Sequence, residues 1–342
     1  MTFPPRLNLQ PPRRPLWMTG LILVLLSVSL LGTVPPAQAG VFDFLFGGRE
    51  NRGGRAPNRQ KGGGVRVGRL SGGLNAALPY MITPRNTFQV SDQFTIRWHP
   101  VAEATTYTVR LWQWQDANGG RQRILWETTT ADTTLVYGGN PPLRPEAFYS
   151  VEVITDQGVS SDLDPGCAAA GFAVLFAETR SRLQADLAAV TSAPLSPEQK
   201  ALATADVYLA YQMLDAAIAT LAVQLAIAPS DTLYLALGDL YSFSGLNTLA
   251  AEHYTQALTL ATGNDNVLWQ AIALEGLGEL DVIQNNIEAA LPQLRQAQFG
   301  YGLADRPIQA NQVKRRIELL EKSQLLGLQP TDEPEGCEIP DL

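Results

Sequence analysis

The chain has 342 residues, 45% of them hydrophobic and 17% charged, a balance that suits folded domains and argues against wholesale disorder. Its formal charge is −8, from 33 acidic against 25 basic residues, which argues against nucleic acid as a partner. At this length two or three domains are expected.

Arg6, Arg13 and Arg14 precede an apolar run from Leu16 to Val34, followed by Pro35-Pro36 and Ala37-Gln38-Ala39 before Gly40. This is the order of a secretory signal peptide, with residues 1–39 removed by cleavage after Ala39. The run is 19 residues long, so an anchor that stays in the membrane is the competing reading. Two prolines break a helix just where a peptidase needs extended chain, which favours cleavage. The chain that remains carries −11, contains no transmembrane segment, and is expected in the periplasm or outside the cell. Cys167 and Cys337 are the only cysteines. Export lets a disulfide between them persist, and two free thiols or a bridge to another chain are the alternatives.

Residues 40–75 form a basic tether. Between 48 and 73 there are nine glycines, six arginines and one lysine against the single acid Glu50, too little apolar surface to offset chain entropy. Its charge suits an anionic envelope surface, and a plain spacer is the blander reading.

From 76 to 175 the pattern has period two: Phe94, Ile96 and Trp98, then Tyr107, Val109 and Leu111, then Tyr149, Val151 and Val153 alternate with polar residues. Turn-rich stretches at 116–120, 138–142 and 156–158 separate these runs, as in a β-sandwich. The set Phe94, Ile96, Trp98 and the corner Leu143, Pro145, Tyr149, Val151, Val153 resembles the fibronectin type III domain. The resemblance implies a tyrosine that bonds back across the turn leading into its strand. Alternation places Arg110, Trp112 and Trp114 on the face opposite Val109 and Leu111. That face is read either as a platform for a glycan or partner, or as a surface covered by the strand holding Trp126 or by the rest of the chain.

Beyond Phe176 the period becomes helical. A connecting helix from Glu178 to Val190 and a linker fill 176–195. Ser196-Pro197-Glu198-Gln199 then combines an N-cap, a first-turn proline and a capping-box glutamine. Leu237-Gly238, Tyr241, Ala250, Tyr254 and Ala257 are spaced as two helices whose small residues allow close approach. This unit, an earlier one with Ala205, Tyr208, Leu214, Ala217, Leu221 and Leu225, and a later one with Leu274, Leu277-Gly278, Ala290, Leu294 and Ala297 resemble the tetratricopeptide repeat. Gly238 and Gly278 are 40 residues apart, which implies either longer helices or an inserted loop at 262–266. The expected fold is therefore multidomain, β then α: an immunoglobulin- or fibronectin-like sandwich followed by a tetratricopeptide-like solenoid over 196–327. Its final helix, from Pro307 to Leu325, caps the last open apolar face. An acidic tail, 328–342, follows.

Motifs of catalysis such as HExxH, G-x-S-x-G and the P-loop are missing from the sequence, and no enzyme, cofactor or metal is expected. From Ala201 to Leu294 there are ten acids and no Lys or Arg. The repeat resemblance implies that Asp206, Asp239 and Glu279 recur on one concave groove, with Glu275, Leu209, Leu235, Phe243 and Ile283 beside them. Such a groove suits a protein or basic peptide, and a solvated acidic face is the blander reading. The sequence thus points to an exported, non-enzymatic adaptor or scaffold of the cell envelope. The alternative is a glycan-binding module that uses the sandwich tryptophans.

Overall fold

The structure, a computed structural model, describes residues 73, 75–114, 121–145, 147–164 and 171–326. The expected signal segment, nearly all of the tether, the acidic tail and both cysteines lie outside the described residues.

Two sheets come first. One holds β1 (Met81–Thr83), β3 (Gln93–Trp98) and β6 (Thr134–Gly138), in the order β1-β3-β6. The other holds β2 (Thr87–Gln89), β4 (Tyr107–Trp114), β5 (Arg121–Thr130), β7 (Phe148–Thr155) and β8 (Gly171–Val174), in the order β2-β8-β7-β4-β5. All pairings are antiparallel except β2 with β8. The period-two pattern explains how the sheets close: Phe94, Ile96 and Trp98 from one and Val109, Leu111, Val151 and Val153 from the other share a single buried core. At the corner before β7, the Arg144 amide donates to the Tyr149 hydroxyl at 2.7 Å, and that hydroxyl lies 3.2 Å from the Arg144 carbonyl.

Eight helices follow among the described residues: α1 (Ala177–Ser192), α2 (Pro197–Ala210), α3 (Leu214–Ile227), α4 (Asp231–Phe243), α5 (Asn247–Gly263), α6 (Val267–Ile283), α7 (Ile287–Leu303) and α8 (Pro307–Leu325). Ser196 caps α2 with both halves of a capping box, its hydroxyl accepting from the Gln199 amide at 3.2 Å while its own amide donates to Gln199 Oε1 at 3.0 Å.

One kind of turn recurs down the stack. After α2, α4, α5, α6 and α7 the middle residue of a three-residue link has positive φ: Gln212, Gly245, Asp265, Asn285 and Asp305. The next amide donates back five residues, from Met213 to Tyr208, Leu246 to Tyr241, Asn266 to Ala261, Asn286 to Asp281 and Arg306 to Tyr301, at 2.8–2.9 Å. This is the Schellman closure, and it folds each helix back on the one before. Helices α5, α6 and α7 have 17 residues each, so the 40-residue interval comes from longer helices and not from an inserted loop.

The sheets are joined to the helices by buried polar groups as well as by apolar contact. Arg85, 1% exposed, follows β1. Its Nε donates to the Ser244 carbonyl at 2.6 Å and its Nη1 to the Met81 carbonyl at 3.1 Å, and Nη1 lies 3.6 Å from Asp164 Oδ2. Beside it Asp215, in the first turn of α3, accepts from the Thr83 hydroxyl at 2.6 Å and the Arg85 amide at 3.3 Å. Tyr80 leaves the sheet region to join the core of the helices.

Candidate functional site

The groove acids are built on α2, α4 and α6, and the structure gives each a different setting. Gly238 and Gly276 face the ring of Tyr254 from two helices. A Cβ built on Gly238 would lie 2.7 Å from Tyr254 Cδ1, and one built on Gly276 would lie 2.6 Å from Tyr254 Cζ. The two glycines therefore form a slot that holds the ring, and the Tyr254 hydroxyl donates to Asp239 Oδ1 at 2.5 Å. Burial pushes the Asp239 carboxyl up to about 8; the Tyr254 hydrogen bond opposes the rise and nearby Glu275 adds to it.

Glu275 repeats the device two helices on. The Tyr301 hydroxyl of α7 donates to Glu275 Oε2 at 2.5 Å. Burial raises Glu275 to about 7, with Tyr301 lowering it and Glu279 raising it. Glu279 is answered by a cation instead: Arg316 of α8 grips it in a fork, Nε to Oε1 at 2.9 Å and Nη2 to Oε2 at 2.8 Å.

The 40-residue shift shows how the units diverge. Position 254 becomes Leu294, which fills the same slot against Gly278, 2.8 Å from a Cβ built there. Positions 235 and 261, a buried Leu and Ala, become Glu275 and Tyr301. Two buried apolar positions in one unit are thus a carboxyl–phenol hydrogen bond in the next.

This corrects part of the expected groove. Leu235 is fully buried and Asp239 is 6% exposed, because glycine and alanine bring the helices close enough to enclose both. Leu209 and Ile283 are half-buried against the helical core, and Asp206 is half-buried on α2. Phe243, at the C-terminal end of α4, is 53% exposed. Among the groove residues it alone presents a large apolar side chain to solvent.

On the outer face of the larger sheet Arg110, Trp112 and Trp114 are all half-buried. Trp112 Nε1 donates to Glu152 Oε2 at 2.9 Å, and Trp114 Nε1 donates to Ser150 Oγ at 2.8 Å. Arg121 lies 5.4 Å from the centre of the Trp112 ring and pairs with Asp162, Nη2 to Oδ1 at 2.8 Å. Arg110 Nε donates to Glu127 Oε2 at 2.6 Å. The strand alternation brings these residues together as expected, but neighbouring β5 and β7 side chains already occupy the indole N–H groups and one ring face. The proposed Cys167–Cys337 pair lies outside the described residues.

Sequence reasoning missed the Tyr254 and Tyr301 hydrogen bonds and the Arg85 joint. In the sequence Tyr254 reads only as one position of a helix whose small residues allow close approach. A signal existed in the glycines at 238 and 276, since a residue that removes Cβ marks where a ring approaches. No protein-family model matches the chain, and no curated protein is significantly similar to it.

Proposed function

We propose that this protein is an exported, non-enzymatic adaptor, a fibronectin type III-like sheet pair carrying a tetratricopeptide-like helical stack that holds a partner protein. The Tyr149 hydroxyl bonded back to Arg144 at the corner before β7, and the shared core of the two sheets, support the first half of that description. The recurring helix pairs with small-residue contacts support the second.

The observation that carries the binding role is Phe243. It stands exposed at a helix end where its counterpart 40 residues on, Ile283, is half-buried, and aromatic side chains, Phe among them, are enriched in protein contacts. The partner's chemistry follows from the same geometry. Asp239 and Glu275 are raised to about 8 and 7, so Asp239 is mostly neutral and Glu275 about half ionised at pH 7; with Glu279 paired to Arg316, the groove's field is weakened and apolar contact outweighs attraction for a basic peptide. The glycan reading draws less support, because Arg121 takes a place beside Trp112 that a sugar ring would need.

Affinity capture from envelope extract with the mature chain, followed by mass spectrometry, tests the adaptor role. A partner retained by the native chain and by Trp112→Ala but lost by Phe243→Ala is the expected result. Capture unchanged by Phe243→Ala, or lost with Trp112→Ala, would overturn it.

A further inference from the structure

The last helix is apolar on two sides. Val313, Ile317 and Leu320 of α8 are buried against the stack. The opposite side, followed along the helical period, carries Ile308, Arg315, Leu319, Lys322 and Leu326. Ile308 is 69% exposed and Leu319 and Leu326 are 60% exposed, with Arg315 and Lys322 open between them. A helix that closes a solenoid is expected to turn a polar side outward, so the inner stripe fulfils the capping role and the outer one is left over.

The charge also changes sign here. The body of the stack has no Lys or Arg from Ala201 to Leu294, whereas Arg306, Lys314, Arg315, Arg316 and Lys322 stand on or beside α8. Arg316 is engaged by Glu279, and Lys314 lies 3.9 Å from Glu318. Arg315 donates to the Asn311 carbonyl at 3.3 Å, and neither it nor Lys322 has a carboxylate partner among the described residues.

We propose that the outer stripe of α8 is docked by the chain's own segment Gly327–Leu342. That segment starts where the helix stops, and its first residue is glycine, which most readily reverses a chain after a helical C-cap. It carries Asp332, Glu333, Glu335, Glu338 and Asp341 with no base, and Leu328 and Ile339 for the apolar positions. Its sixteen residues can reach about 50 Å when extended. Helix α8, with 19 residues, is about 28 Å long, so the segment can run back as far as Ile308. Covalent attachment supplies an effective concentration on the order of millimolar, so weak complementarity is enough.

The test compares the mature chain with one ending at Leu326, both kept in reductant so that no bond to Cys337 fixes the outcome. Hydrogen exchange across 308–326 and fluorescence of an apolar dye, anilinonaphthalene sulfonate, are the readouts. Truncation should cause loss of amide protection and a rise in dye fluorescence, and added synthetic 327–342 peptide should reverse both, less effectively at high salt. The double substitution Arg315→Glu and Lys322→Glu in the full chain should reproduce the truncated behaviour with unchanged helix content. Identical exchange and dye binding in full and truncated chains would overturn the proposal. So would protection that rises with protein concentration alongside a dimer in light scattering, since a second copy would then cover the stripe.

Discussion

Tyr254 shows how one side chain ties three helices together. Its ring fills the slot made by Gly238 of α4 and Gly276 of α6, and its hydroxyl ends on Asp239. Because the buried ring packs against both glycines and its hydroxyl is held by Asp239, it has little room to yield to a new methyl group, and overpacking of this kind costs about 1–3 kcal/mol. Gly276→Ala is therefore expected to lower the urea midpoint of unfolding with little change in slope. Tyr254→Phe keeps the packing and removes only the donor, leaving a buried carboxyl oxygen unanswered at a cost of about 1–3 kcal/mol. A Tyr254→Phe protein as stable as the native one in the same titration would show that the hydrogen bond contributes nothing.

At the scale of elements, the stack is made regular by its turns. Asp265, Asn285 and Asp305 sit at left-handed φ values of 52°, 58° and 54°, where short polar side chains are tolerated and β-branched ones are not. Asn285→Gly should leave stability nearly unchanged, whereas Asn285→Ile should cost about 1–2 kcal/mol through backbone strain alone. Thermal unfolding of the two variants checks this, and equal midpoints would refute it. These turns were partly legible: Asn264-Asp265-Asn266 and Gln284-Asn285-Asn286 announce breaks between helical runs. Whether the extra residues of the 40-residue interval lengthen helices or form a loop was not legible, since a turn signal marks where a helix ends without fixing how far the next one extends.

At the scale of the whole molecule, three carboxyls among the described residues titrate near neutrality. Burial raises Asp215 to about 7, against the Thr83 hydroxyl, the Arg85 amide and the charges of Arg85 and Arg97 that pull it down. Asp239 and Glu275 reach about 8 and 7. In the unfolded chain these groups titrate near 3.8 to 4.5, so above that range the folded state holds protons that the unfolded state has released. Stability must then fall as pH rises through the folded values. His99 and His253, pushed down by burial, act in the opposite sense, but only below their ordinary value of 6.5. Between pH 6.5 and 8 the carboxyls dominate, and the midpoint of thermal unfolding should drop across that window. Asp215→Asn with Asp239→Asn should flatten the slope. A midpoint that rises from pH 6.5 to 8 would contradict the protonated setting of these acids. The joint between sheets and helices gives a separate expectation: Arg85→Met leaves Asp164 and the Ser244 carbonyl without their cation, and breaking a buried pair costs about 3 kcal/mol or more. Calorimetry should show a lower midpoint, and an unchanged one would mean that apolar contact alone holds the joint.

The order of strands before helices, the alternating core positions, the capping box at Ser196 and the corner at Tyr149 were determined by the sequence alone. Each rests on a local period or on partners a few residues apart, and local geometry is written directly in residue order. The fate of the acids was decided only by tertiary structure. Asp206, Asp239 and Glu279 recur in register, yet Asp239 is enclosed beside Tyr254 and Glu279 is held by Arg316, 37 residues away. Whether a carboxyl is a field source, a protonated hydrogen-bond acceptor or half of an ion pair depends on how closely neighbouring helices approach. That distance is set by small residues on other helices, and a carboxylate's own sequence neighbourhood does not carry it.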